Sequence, residues 1–94
     1  KDNLLGVAVS VLNNTDKPID IKAEQFVLVD MEGNEYPGSL SDLFEPQLKE
    51  ISLQPHKELS GVVVFTVGEK DFKSFEKIIF SPDERHSAVK YFPN

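Results

Sequence analysis

The stretch that decides the fold is Leu59-Ser60-Gly61-Val62-Val63-Val64-Phe65-Thr66-Val67. It is dominated by β-branched and aromatic residues and carries no charge, which is typical of a central β-strand and unlike a surface helix. Further apolar runs span residues 4–12, 19–21, 26–29 and 78–80, each bounded by Asn, Asp, Gly or Pro. Short strands at this regular spacing predict an all-β sandwich or barrel, and we expect Phe65 to lie in its core.

The alternation of side chains along residues 4–12 predicts which face of that strand is buried. Successive side chains of a strand point to opposite sides of the sheet. One side therefore carries Leu5, Val7, Val9 and Val11, and the other carries Leu4, Gly6, Ala8, Ser10 and Leu12. We expect the valine-rich side to face the core and the small-residue side to face solvent or a neighbour.

Turn residues divide the chain between these strands. Residues 13–18 form one turn, because Asn and Asp tolerate left-handed backbone and Pro fixes φ. Residues 31–34 predict a tight hairpin in which Gly33 takes a positive φ. Residues 72–77 suit either a helical turn or a strand, and residues 88–92 predict a final edge strand.

Composition restricts the class of protein. The chain has 94 residues, 39% of them hydrophobic and 28% charged, which predicts one globular domain over residues 1–94. Sixteen acidic residues against ten basic ones give a net charge of -6, which disfavours nucleic acid as a partner. There is no cysteine for a disulfide or a thiolate metal site. The start at Lys1, without Met, suggests that a leader or tether precedes this sequence.

Residues Asp30, Glu32 and Asn34 have the spacing of the first ligands in a calcium-binding loop. The sixth position of that loop would be Glu35 where Gly is needed, and the twelfth would be Ser41, which cannot provide a bidentate carboxylate. We therefore predict a hairpin turn here. Weak calcium binding by irregular loop carboxylates stays open.

No catalytic or cofactor site is predicted. The two histidines, His56 and His86, lie in separate turns without a ligand pair, and the sequence has no Gly-x-Ser-x-Gly motif. Ser10, Ser60 and Thr66 lie in predicted strands with no base assigned to them. The glycosylation motif at Asn13-Asn14-Thr15 is explained by the turn itself. We accordingly predict that the protein is not an enzyme and needs no cofactor.

Residues 37–46 form a long loop that contains three large apolar side chains, Leu40, Leu43 and Phe44. Such side chains either plug the open end of a sandwich or form a patch for a partner. The plug is favoured because a domain this small must recruit loops to complete its core. The patch requires at least one of the three to be exposed. A short helical turn over residues 41–45, capped by Ser41, is a further expectation.

Three segments together resemble a known family. They are Asn13-Asn14-Thr15-Asp16-Lys17-Pro18-Ile19, then Phe26-Val27-Leu28-Val29-Asp30-x-x-Gly33-Asn34-Glu35-Tyr36, then Leu53-x-Pro55-x-x-x-Leu59-x-Gly61-Val62-Val63-Val64-Phe65-x-Val67. They are similar to uncharacterised domains of secreted Gram-positive lipoproteins, which resemble the immunoprotective extracellular antigens of mycobacteria. The resemblance implies an immunoglobulin-like antiparallel sandwich of about seven strands and export with an N-terminal lipidated cysteine outside this chain. It assigns no catalytic, cofactor or metal residues.

The resulting hypothesis is a noncatalytic extracellular interaction or accessory module of a bacterial surface lipoprotein. Its partner would be a protein or a cell-envelope component, with the membrane reached only through the lipid anchor. Leu40, Leu43 and Phe44 are the candidate contact residues. The alternative is a small-ligand or metal-ion-binding domain on the cell surface, and behind both stands a hydrolase whose site the sequence does not reveal.

Overall fold

A computed structural model of the protein describes residues 3–69 and 72–92. The described residues form eight strands, one more than the seven or so expected. Two of the eight are only two residues long. The strands are β1 (Leu4–Leu12), β2 (Ile19–Asp20), β3 (Phe26–Asp30), β4 (Glu35–Pro37), β5 (Ser52–Leu53), β6 (Glu58–Thr66), β7 (Phe75–Phe80) and β8 (Ala88–Tyr91). Short 3₁₀ helices span Ala23–Gln25 and Phe72–Ser74. Residues 72–77, which suit either a helical turn or a strand, therefore begin as a helical turn and continue as strand β7.

The strands form three antiparallel sheets. β1 pairs with β6 along its whole length, β2 pairs with β5, and the largest sheet has the order β4-β3-β7-β8. The fold is therefore an all-β antiparallel sandwich, as the strand spacing predicts. No helix among the described residues is long and apolar enough to cross a membrane.

The β1–β6 sheet and the four-stranded sheet contribute to one hydrophobic core. Phe65 of β6 is fully buried, as expected, and it belongs to the same cluster as Leu28 of β3 and Phe75 of β7. The predicted alternation along β1 is confirmed: Leu5, Val7, Val9 and Val11 are half-buried against this cluster, whereas Leu4, Ala8, Ser10 and Leu12 are exposed.

The hairpin between β3 and β4 has the predicted glycine geometry. Gly33 has φ of 88°, and its N–H donates to the backbone oxygen of Asp30 at 3.1 Å. The Asp30 backbone N–H in turn donates to the Asn34 carbonyl at 3.0 Å. A residue with a β-carbon would be strained at this φ, so glycine lets the chain reverse direction here.

The turn after β1 is held by a buried asparagine. The Asn13 side-chain amide donates to the backbone oxygens of Lys17 and Leu53 at 2.8 and 2.9 Å, and its Oδ1 accepts from the Thr15 hydroxyl at 2.7 Å. Asn13 has no exposed surface. The apparent glycosylation motif is thus a structural turn, because its asparagine is buried and its amide is already hydrogen-bonded.

Candidate functional site

The loop between β4 and β5 is bonded to the edge of β6 that β1 does not occupy. Ser39 and Val64 exchange backbone hydrogen bonds of 2.8 and 2.9 Å. Further along, the Val62 N–H donates to the Pro46 carbonyl at 2.8 Å, and the Leu48 N–H donates to the Val62 carbonyl at 3.2 Å. The apolar loop residues therefore project from a segment that backbone hydrogen bonds hold at both of its ends.

The loop contains no helix, so the expected helical turn over residues 41–45 is wrong. The chain makes a turn in which the Leu43 N–H donates to Ser41 Oγ at 3.2 Å and the Phe44 N–H donates to the Ser41 carbonyl at 3.3 Å. Ser41 thus caps a turn as expected of a helix start. The turn does not extend into a helix, and at Pro46 the backbone is bonded to β6.

Phe44 packs on the outer side of β1, where Gly6 leaves room for its ring. A β-carbon built on Gly6 would lie 2.5 Å from Phe44 Cδ1, closer than carbon atoms approach. The ring therefore rests on the glycine backbone, and Phe44 is half-buried. This contact joins residues far apart in sequence and fixes the position of the loop tip on the β1–β6 sheet.

The other two candidate contact residues are exposed. Leu43 is 75% exposed and Leu40 is 37% exposed. The favoured expectation that the loop plugs the core is therefore wrong for these two leucines, while Phe44 covers the sheet from outside. We call Leu40 and Leu43 the loop patch, and its exposure meets the condition set for a contact surface.

A shallow groove, open to solvent, extends from the loop patch. It is lined by Leu40, Glu45, Pro46, Gln47, Leu48, Lys49, Glu50 and Ile51. Ile51, which sequence reasoning did not single out, is 41% exposed. Glu50 helps to hold the fold, because its Oε2 accepts the Ala23 N–H at 2.9 Å. The sequence offers one signal for this groove, which is the apolar character of residues 48, 51 and 53. That signal does not distinguish exposed Ile51 from buried Leu53.

The Asp30 carboxylate serves the hairpin. Oδ1 accepts the backbone N–H groups of Glu32 and Asn34 at 2.9 and 2.8 Å, and Oδ2 accepts from the Asn34 amide at 3.1 Å and the Tyr36 hydroxyl at 2.9 Å. Desolvation raises the pKa of this carboxyl, but the hydrogen bonds from Asn34, Tyr36 and Glu32 outweigh it and hold the pKa well below its usual range. Hydrogen bonds from the turn thus occupy both oxygens, in keeping with the predicted hairpin turn.

The histidines lie in two separate turns beside different aspartates. His86 Nδ1 lies 2.9 Å from Asp83 Oδ1, and this bond, with the Arg85 N–H, lowers the pKa of Asp83. His56 Nε2 is 3.8 Å from Asp16. Across residues 3–69 and 72–92, no group of three His, Cys, Asp or Glu side chains could hold a metal ion.

The strand serines form a small hydrogen-bonded row on the exposed side of the β1–β6 sheet. Ser60 Oγ donates to Ser10 Oγ at 3.2 Å, and Ser10 Oγ donates to Glu58 Oε2 at 2.6 Å. The partners of these serines are each other and a glutamate, not a histidine. The arrangement therefore lacks the nucleophile–base pair of serine hydrolases.

The comparisons with known proteins identify a family and a fold but no activity. One solved structure, described as a functionally unknown protein from Listeria monocytogenes EGD-e, superposes with a TM-score of 0.68 at 20% sequence identity. The superposition covers 98% of this chain and 59% of that one, so this chain spans less than two thirds of its relative. No curated protein matches the sequence. The family model of a domain of unknown function, DUF4352, matches residues 1–89, and the chain therefore belongs to the DUF4352 family.

Proposed function

We propose that this chain is a noncatalytic interaction or accessory module outside the cell, and that the loop patch is its contact surface. The observation that carries the proposal is the 75% exposure of Leu43 on a loop that is hydrogen-bonded to β6 on both sides. Leu43 lies beside exposed Leu40 and near the groove that Ile51 lines, and neighbouring apolar side chains on a loop supported by a sheet are a common setting for recognition. The partner is a protein or another cell-envelope component.

The same proposal includes the setting of the domain. We take residues 1–94 as one immunoglobulin-like domain, supported by the hydrophobic cluster that described residues of the β1–β6 sheet and the four-stranded sheet form together. We place it on the outer surface of a Gram-positive cell, on a lipid anchor upstream of this sequence, on the basis of the family resemblance. Protease treatment of intact cells that express the full-length protein tests this placement, since an internal protein would survive the treatment.

Site-specific photo-crosslinking tests the contact surface. A photoreactive amino acid replaces Leu43 in the full-length protein in its native cells, and a second variant carries it at Val89, which is 46% exposed on β8. We expect a discrete covalent adduct from position 43 and none from position 89. Equal labelling at positions 43 and 89, or no adduct from position 43, would contradict the assignment.

The small-ligand or metal alternative has a separate test. A ligand that binds only the folded state raises the melting midpoint, and the increase grows with the logarithm of the ligand concentration once that concentration exceeds Kd. Calcium and zinc titrations of the purified domain should leave the midpoint unchanged if the interaction proposal is right. An increase that grows with the concentration of either ion would favour the alternative and would direct attention to the loop carboxylates.

A further inference from the structure

Strand β1 has one open edge. It pairs with β6 on one side, and no other described strand pairs with it. At its two ends the Val67 N–H donates to the Asn3 carbonyl and the Asn13 N–H donates to the Lys57 carbonyl, both at 2.9 Å. Hydrogen-bonded pairs alternate along an antiparallel ladder. The odd residues of β1 therefore bond to β6, and the even residues direct their N–H and C=O groups toward the open edge.

The even-numbered residues of β6 show the same alternation of hydrogen-bonding direction. Val62 and Val64 use their backbone groups to bond the loop on the far side of β6. By the same alternation, the open edge of β1 presents the backbone groups of five residues. They are Leu4, Gly6, Ala8, Ser10 and Leu12.

The other sheet edges in the described residues are protected, whereas that of β1 is not. Proteins prevent unwanted strand pairing at edges with short strands, prolines or charges. β2 and β5 have only two residues each, β4 has three residues and ends at Pro37, and β8 has four residues and carries Lys90. β1 has nine residues, with neither a charge nor a proline. Its edge can therefore accept another strand over its full length.

We propose that a second copy of this chain occupies this edge, with the two β1 strands antiparallel about a two-fold axis at Ala8. This register places Leu4 opposite Leu12 of the second copy and Gly6 opposite Ser10. It brings even residues opposite even residues, as the open backbone groups require. Leu4 is 42% exposed and Leu12 is 60% exposed in the single chain. Pairing covers both leucines, as isologous interfaces do for symmetric patches.

The charges on strands β1 and β6 permit self-association through β1 despite the net charge of -6. Among the residues of β1 and β6, the one carboxylate is that of Glu58, which lies opposite Leu12 in the β1–β6 ladder. In the proposed pair, the two Glu58 residues are three strand spacings apart sideways and eight residues apart along the strands, roughly 30 Å in all. That separation is several times the Debye length of about 8 Å at physiological ionic strength. Repulsion between them is therefore screened.

Sedimentation equilibrium of the purified protein over a range of concentrations tests the pairing. We expect a reversible dimer, weakened at least about tenfold by Ala8→Lys, because like charges directly opposite each other destabilise a strand pair. Val89→Lys is the matched control, since it adds the same charge to the exposed edge strand β8. It should leave the dimer unchanged. A thermal melt of each variant confirms that the monomer fold is retained.

Crosslinking tests the register and does not depend on the lysine variants. The chain has no cysteine, so Ala8→Cys introduces a single thiol. At the two-fold axis the paired Cα atoms would be about 5.5 Å apart, within the range in which disulfides form. Ser10→Cys is the control, because its two copies would be about 14 Å apart. Mild oxidation should produce a covalent dimer from Ala8→Cys and not from Ser10→Cys.

Each result decides the proposal. A dimer that is weakened by Ala8→Lys and trapped by Ala8→Cys supports it. A protein that stays monomeric up to about 1 mM, the range of weak association, overturns it. A dimer that Val89→Lys weakens and Ala8→Lys does not would place the interface on β8 and would also overturn it. Preferential crosslinking of Ser10→Cys would refute the register.

Discussion

Replacement of Phe65 by alanine tests the core in quantitative terms. Phe65 is fully buried in the middle of the apolar cluster, on a strand that pairs with β1 on one side and bonds the loop on the other. Burial of a phenylalanine removes about 200 Å² from water, worth about 5 kcal/mol at about 25 cal/mol per Å² as an upper limit. The alanine retains part of this burial, and the cavity that remains adds a cost of its own. We therefore expect a loss of about 3–5 kcal/mol.

The expected loss is a large share of the stability of this protein. A chain of 94 residues typically has roughly 5–14 kcal/mol of unfolding free energy in total. Urea denaturation of Phe65→Ala, compared with wild type, measures the change through the midpoint at constant m-value. The neighbouring Thr66→Ala is the control, because Thr66 is exposed and its truncation should cost less than about 1 kcal/mol. A loss below about 1 kcal/mol for Phe65→Ala, or a loss equal to that of Thr66→Ala, would refute the central position of β6.

Three further changes test the turn, the loop and the buried carboxylate. Gly33→Ala should lower the free energy of unfolding by about 1–2 kcal/mol and Gly33→Val by more, whereas Gly33→Asn should lower it least. The cause is backbone strain alone, because φ is 88° and no atom lies near the added β-carbon. Equal melting temperatures for the three variants would contradict this cause. Gly6→Ala should destabilise the fold through a clash with Phe44, and Phe44→Ala should remove most of that penalty in a double-mutant cycle; additive effects would argue against the contact. The pKa of Asp30 is lower in the folded protein than in the unfolded chain. Its contribution to the free energy of unfolding is therefore complete above the unfolded pKa of about 3.9 and is lost as the pH falls below that value. In acid titrations followed by circular dichroism, Asp30→Asn should be less stable at neutral pH and should lose less stability below that value, and parallel curves would be contrary to this assignment.

Local chemistry in the sequence was sufficient for much of the fold. Uncharged β-branched runs located β1 and β6, and period-two alternation identified the buried side of β1, because both depend on neighbouring residues. The positive φ of Gly33 followed from the residues of a tight turn. The prediction that the protein is not an enzyme rests on the absence of catalytic sequence motifs. The candidate contact residues come from the apolar side chains of one loop.

Tertiary structure alone decided how that loop is used. Leu43 and Phe44 are adjacent and equally apolar, yet one is exposed and the other rests on Gly6, because only the approach of β1 distinguishes them. The burial of Asp30 likewise depends on hydrogen bonds that converge when the hairpin closes. The open edge of β1 is a consequence of strand pairing. Sequence pattern predicts that a segment is extended, but long-range packing determines which strand it pairs with and which of its edges stays open.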